Sequence, residues 1–216
     1  METKDAVNYI IKNNIEGDFI ECGVLKGSNE IIMIKELQKN NQEKNIWMYD
    51  TFDGMTSPSE FDWIRNDKNS FHKNDTDVMM NNEECKNFFK EQQKDGYNKW
   101  CYCSLDKVKK TLSQFNYNEN LLHYIKGNVC QTLLDEKNLP NKISLLRLDT
   151  DFYDSSKVEL EVLYPRLVKG GVLILDDYYL WEGQRKATDD YFEKIGFKPE
   201  FKKVGRKYLK GASFIK

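Results

Sequence analysis

Residues 143–179, ISLLRLDTDFYDSSKVELEVLYPRLVKGGVLILDDYY, constrain the fold more than any other stretch. An apolar run from Ile143 to Leu148 ends in Asp149-Thr150-Asp151, and a second run, Val172 to Leu175, ends in Asp176-Asp177. Between them Lys157 to Leu167 carries apolar residues at helical spacings, and Lys169-Gly170-Gly171 reads as its stop signal. The pattern predicts a strand, a crossover helix and a second, parallel strand. The carboxyl ends of parallel strands lie on one sheet edge, where open α/β folds bind ligands. Four carboxylates therefore meet at one crevice, and a hard divalent cation is the simplest way to neutralise them. Each acid alone has a bland alternative, because aspartates after strands also cap helices and form turns. Asp154 and Ser155 read as such caps, with Lys157 and Glu159 on the solvated side of the helix.

The N-terminal half supplies a second set of signals. Ala6 to Ile11 predict a short amphipathic helix, which leaves room for a homo-oligomer. Phe19 to Val24 reads as a strand entering a glycine turn, and Gly27-Ser28 opens a helix whose free N–H groups and close backbone approach suit a ligand. Alone, E-x-G-x-x-x-G is equally a tight strand-to-helix turn. Ile46 to Asp50 is a second strand ending in an acid about 27 residues past that turn, near the offset at which nucleoside binders hold ribose hydroxyls. The two together are more specific than either part.

Residues 56–100 are polar and hard to read, with a helix expected over Asn82 to Lys94. An insertion of this length is expected to act as a lid. His72, within it, reads as a surface histidine. Ser104 opens a helix with Val108, Leu112 and Phe115 on one face and Lys107, Lys109 and Lys110 in water. Leu121 to Lys126 is a third strand in which His123 reads as a packed or edge residue. A short helix at Val129 to Leu134, a helix at Ala187 to Ile195 and a hairpin of Phe197 to Val204 with Tyr208 to Ile215 complete the chain.

The 216 residues fit a single domain, 1–216. A formal net charge of −2 gives no general attraction to nucleic acid or an anionic membrane, and no apolar run is long enough to span one. Five cysteines without a CxxC pair fit a reducing cytoplasm. Cys101-Tyr102-Cys103 is too tight for a zinc knuckle and reads as alternate faces of a short strand.

The segments FIECGVLKGSN, YDTFDGM, SLDKVKKTL, YIKGN, LRLDTDFYDSSKVELEVLYPRLVKGGVLILDDY and WEGQRKA resemble the class I S-adenosylmethionine-dependent methyltransferases. Among these, the chain is similar to the macrocin O-methyltransferase family, which methylates sugar hydroxyls on antibiotics. The resemblance spans nearly the whole chain and is weakest at 56–100. It implies an α/β fold, a doubly wound, Rossmann-like, seven-stranded, mostly parallel sheet with an antiparallel C-terminal strand. It further implies S-adenosyl-L-methionine and Mg²⁺ as cofactors and a sugar or other small-molecule hydroxyl as acceptor. Metal ligands would fall on Asp149, Asp176 and Asp177, and a general base on Asp151. Glu21, Gly23, Gly27 and Ser28 would line the methionine part, Asp50 the ribose, and Gly127 and Asn128 the adenine side. Two rival readings stand beside it. One is a glycosyltransferase holding a nucleotide-sugar through Asp149-Thr150-Asp151, which leaves Asp176-Asp177 unexplained. The other is a methyltransferase fold kept as a binding module, which fits poorly with a full set of site acids.

Overall fold

The structure, a computed structural model, describes residues 1–64, 82–91, 93–94, 97–98, 100–205 and 210–216. Seven segments form one sheet: β1 (Asp18–Cys22), β2 (Ile46–Asp50), β3 (Leu122–Lys126), β4 (Ile143–Leu148), β5 (Leu167–Leu175), β6 (Lys202–Val204) and β7 (Gly211–Ile215). They lie in the order β3-β2-β1-β4-β5-β7-β6. The first five are mutually parallel, and β7 and β6 close the sheet antiparallel. This is the expected doubly wound sheet.

All six residues of β4 are buried, so both faces of the sheet centre need covering. The helices are α1 (Thr3–Lys12), α2 (Ser28–Lys39), α3 (Asn82–Glu91), α4 (Leu105–Leu112), α5 (Val129–Thr132), α6 (Tyr153–Leu163) and α7 (Glu182–Lys194). Strand alternation divides the core in two. Phe19, Leu145 and Ile174 pack under α1, α2 and α4 with Ile10, Ile34 and Leu112. Ile20, Leu146 and Leu173 pack under α6 and α7 with Leu160, Leu163 and Phe192. The apolar face of α1 (Ala6, Val7, Ile10) is thus spent inside this core and does not itself supply an oligomer surface.

The crossover differs from the expectation in three ways. Its helix starts four residues earlier, at Tyr153, and stops at Leu163, because Pro165 forces the next residues into a 3₁₀ turn, Tyr164–Arg166. Gly170-Gly171 then lie inside β5, where the pairing with β4 slips between Ile143 and Leu145. Gly170 has φ +84°, and a Cβ on Gly171 would sit 2.7 Å from the Leu167 side chain, so the pair builds a bulge in place of a helix stop. Second, Phe152 occupies the cap position of α6, and Asp62 accepts the Tyr153 N–H at 2.7 Å, a role expected of Asp154 and Ser155. Third, Glu159 is fully buried, since the face it shares with Ser156 and Leu163 turns to the sheet.

Other expectations differ at the margins. Helix α3 ends at Glu91, and a two-residue ladder of 93–94 with 97–98 follows it. Cys101 and Cys103 lie in a turn and a loop, Cys103 buried in the core. The described cysteines are all free. His123 stacks on Trp47 at 4.1 Å between ring centroids and bonds Asn45, a packed histidine on the sheet edge. The described ends of the 56–100 insertion are built into the protein. Asp62 also accepts the Ser59 N–H, Glu182 N–H donates to the Trp63 carbonyl, and Cys85 and Phe89 pack on Phe152 and Trp181. Residues 65–81, His72 among them, lie outside the described residues, as do 206–209 of the expected hairpin. No described helix is long and apolar enough to cross a membrane.

Candidate active site

The carboxyl ends of β1 to β5 open into one cavity of about 310 Å³. Its first half is made by backbone. Gly23 leaves β1 with φ +87°, and a Cβ there would lie 2.1 Å from the Asp149 carbonyl oxygen, so only glycine lets the two strand ends approach. The next turn is tied by Asp50, whose Oδ2 accepts the Val24 and Leu25 N–H groups at 2.8 and 2.9 Å and whose Oδ1 accepts Phe52 N–H at 2.7 Å. Leu25 and Phe52 both have positive φ, and the Asp50 bonds hold them there. Gly127 N–H donates to the Asp50 carbonyl at 2.9 Å, and the Asn128 side chain caps α5 through Cys130 N–H.

Gly23, Asp50, Gly127 and Asn128 therefore line the cavity together. The other three candidates of this half do not line it. Gly27 is the buried cap residue of α2, and Ser28 is exposed beyond it. Glu21 is buried beneath the turn, bonded to Arg147 and to the Asn29 amide.

The second half is made of charge. Asp149, Asp151, Asp176 and Asp177 all line the cavity. Beneath them sits Arg147, whose guanidinium is 7% exposed and pairs with Glu21, with Asp149 Oδ2 at 2.7 Å and with Asp176 Oδ1 at 2.6 Å. Lys210 reaches in from the start of β7, its Nζ 2.8 Å from Asp177 Oδ1 and 3.5 Å from Asp176 Oδ2. Burial works against ionisation of Asp176, yet Arg147 and Lys210 outweigh it and hold its carboxyl below the usual range. Asp149 and Asp151 lie well above that range. Burial is the main cause for both, reinforced for Asp149 by Asp176 and Asp177 against the pull of Arg147, and for Asp151 by Asp177.

Asp149, Asp151 and Asp177 each offer an oxygen within 4.8 Å of the others. Asp176, expected in that group, is drawn aside by the two cations. Asp151 has φ +65°, and its Oδ1 is buried without a hydrogen-bond partner. That conformation is fixed from two sides. Gln184 N–H donates to the Asp151 carbonyl at 3.0 Å while its side chain accepts Asp177 N–H and donates to the Leu148 carbonyl. Thr150, between the two acids, donates its hydroxyl to Glu159 at 2.9 Å. Burial pushes the Glu159 carboxyl up to about 8.

A third wall is apolar: Met55, Phe152, Leu180 and Trp181, with Trp100 at the rim, 52% exposed and set edge-on to Phe88 and Phe89. Arg147, Gln184, Glu159 and Lys210 were not singled out by the sequence motifs. Arg147 alone left a signal, as the one charge inside a six-residue strand whose other residues are apolar except for Ser144. Three hard carboxylate oxygens in this arrangement, one orphaned, suit a divalent cation.

The model of the macrocin-O-methyltransferase (TylF) family matches residues 1–95 and 90–208. Demethyldecarbamoylnovobiocin O-methyltransferase of Streptomyces niveus is 25% identical over 94% of this chain and 68% of that protein. Among solved structures, the O-methyltransferase NovP superposes with a TM-score of 0.75 at 22% identity, over 99% of this chain and 77% of that one. An O-methyltransferase from Bacillus cereus, solved in complex with SAH, gives a TM-score of 0.56 at 14% identity, over 99% and 80% of the two chains. None of these favours either rival reading of the sequence.

Proposed function

The chain belongs to the macrocin-O-methyltransferase family and is an S-adenosylmethionine-dependent O-methyltransferase; from that premise we propose that it methylates a hydroxyl of a sugar or glycosylated small molecule with the aid of a divalent cation. The observation that carries this reading is the two-sided cavity, with a backbone-built nucleoside end and an acid-built end 310 Å³ of space can join. Asp50 and the Gly127-Asn128 turn would take the ribose and adenine. So held, the donor would present its sulfonium methyl to the acidic end, where the acceptor oxygen would attack the methyl carbon. The C–S bond breaks with its electron pair going to sulfur, and S-adenosylhomocysteine leaves.

A sugar hydroxyl is a weak nucleophile until its proton is drawn off. Asp151 would take it: its Oδ1 lies among the converging acids without a hydrogen-bond partner, which supports a role as general base once a cation on Asp149 and Asp177 offsets their charge. Asp149 and Asp177 would hold the cation beside it, and Asp176 belongs to the supporting ion pairs. When bound, such an ion supplies Lewis acidity that lowers the hydroxyl pKa. The apolar wall of Phe152, Leu180 and Trp181 keeps water from competing for the methyl group. The test is transfer of a labelled methyl group from S-adenosylmethionine to pools of small sugars and nucleotide-sugars, with and without Mg²⁺. Product dependent on a sugar hydroxyl supports the reading, and transfer to a nitrogen or carboxylate acceptor alone would overturn it.

A further inference from the structure

Two cations neutralise the acidic end, and they are built differently. Arg147 is sealed beneath the cavity with three carboxylate partners from three strand ends. Lys210 is 35% exposed at its side chain, and it reaches its partners from the rim. Its backbone is fixed: the Lys210 carbonyl accepts Tyr179 N–H at 2.7 Å, and at the next residue a Cβ on Gly211 would press within 2.6 Å of the Asp176 carbonyl. The flexible four-carbon stem is therefore the part that can move, and water is open to its ammonium.

We propose that Lys210 is a tethered cation that occupies the Asp177 carboxylate until a divalent ion arrives, and that it must swing out for that ion to bind. The proposal rests on the divalent-ion reading given above. Its warrant is that Asp177 Oδ1 and Asp176 Oδ2 both face the ammonium at 2.8 and 3.5 Å, while Asp177 is one of the three acids whose oxygens converge. A point charge and an arriving ion cannot share that carboxylate edge without strong repulsion. The lysine thus sets the metal concentration at which the acceptor end switches from an internal ion pair to an open site. It also keeps the crowded acids compact when no ion is present.

The test titrates Mg²⁺, and separately Mn²⁺, into the metal-stripped full chain, by calorimetry and by the fluorescence of Trp100 and Trp181 at the cavity. Lys210→Met should bind Mg²⁺ about fivefold more tightly than the unaltered chain, the equivalent of one partly exposed ion pair removed from competition. Lys203→Met, an exposed lysine over Tyr179, should leave the affinity unchanged and so controls for general charge. Lys210→Gln gives a second variant if methionine unsettles the rim, and retained S-adenosylhomocysteine binding shows that either variant is folded. Equal or weaker Mg²⁺ binding in both Lys210 variants overturns the proposal while leaving the divalent-ion reading intact. No binding of either ion by any of these proteins overturns the divalent-ion reading, and the proposal with it.

Discussion

The two ends of the cavity reach the same rigidity by opposite means. Around β1, β2 and β3 the site is held by backbone: glycines at Gly23 and Gly127, positive φ at Leu25 and Phe52, and one carboxylate, Asp50, accepting three N–H groups. Around the ends of β4 and β5 it is held by charge, with four carboxylates, Glu21, Asp149, Asp176 and Asp177, paired to Arg147 and Lys210. A backbone-built site keeps its shape through glycines and N–H bonds and does not depend on opposed charges. A charge-built site is poised to exchange one of its cations, at the cost of carboxyls whose protons are harder to remove. The difference teaches where binding and where chemistry should be separable by mutation.

Asp151→Asn attacks the charged end at its least supported atom and should have the largest effect. Turnover should fall by about 10²–10⁴-fold, the usual contribution of a general base, while S-adenosylhomocysteine affinity stays nearly unchanged. Loss of Mg²⁺ binding in this variant would make Asp151 a ligand and move the base elsewhere. Near-normal turnover would remove it from the chemistry.

Arg147→Met tests whether the charged end depends on its buried cation. Glu21, Asp149 and Asp176 would lose a shared partner in a dry environment, a loss that costs about 3–5 kcal/mol and roughly 10 °C in Tm. Thermal unfolding at neutral pH reads it directly. A melting temperature within a degree of the unaltered chain would mean that these acids find other partners or protons, and that the two ends are not linked through the guanidinium.

Asp50→Ala tests the backbone-built end. The cofactor should bind roughly 10- to 100-fold more weakly, from the loss of charged hydrogen bonds at about 1.5–3 kcal/mol. Because the same carboxylate ties Val24, Leu25 and Phe52, part of that loss is the turn itself loosening. Asp50→Asn keeps only one of the two acceptor oxygens, so either the Val24 and Leu25 N–H groups or the Phe52 N–H loses its partner, and a loss smaller than that of Asp50→Ala would measure what the remaining acceptor contributes. Calorimetry with S-adenosylhomocysteine that shows no change for either variant would remove Asp50 from the cofactor site.

The same division explains what the sequence made legible. Strand order, the crossover and the glycine turn follow from apolar runs and punctuation, which are local, and they come out as expected. So does the meeting of Asp149, Asp151, Asp176 and Asp177 at one cavity, because parallel strands must end on one edge. Other features depend on what lies across space. The charge of Glu159 predicts a place in water, though its helical face turns to the sheet. Gly170-Gly171 resembles a helix stop in one dimension and is a bulge against β4 in three. Asp176 follows its strand just as Asp177 does, and its pairing with Arg147, from β4 alongside, and Lys210, 34 residues farther on, lies outside any local pattern. Asp62 caps a helix 91 residues away, which no local spacing could announce.

Glu159 also gives the most specific prediction. Its folded-state pKa of about 8 stands above the ordinary value of 4.5 because the carboxyl is fully buried, with only Thr150 and Cys22 to favour its charged form. Between about pH 4.5 and 8 the folded chain therefore keeps a proton that the unfolded chain has released. Stability from this group is complete below the lower value and is lost as pH rises towards the upper one, with a slope of up to about 1.4 kcal/mol per pH unit. Glu159→Gln carries no such proton and can still accept the Thr150 hydroxyl. Urea unfolding from pH 5 to 9 should therefore show a shallower decline in the variant, which overtakes the unaltered chain at the alkaline end. If both proteins lose stability in parallel, the slope belongs to another group, and the backing of the Asp149-Thr150-Asp151 turn is already ionised. If the variant is weaker at every pH, the Thr150 bond needs a carboxylate, and the support of the acidic end is charged down to its second layer.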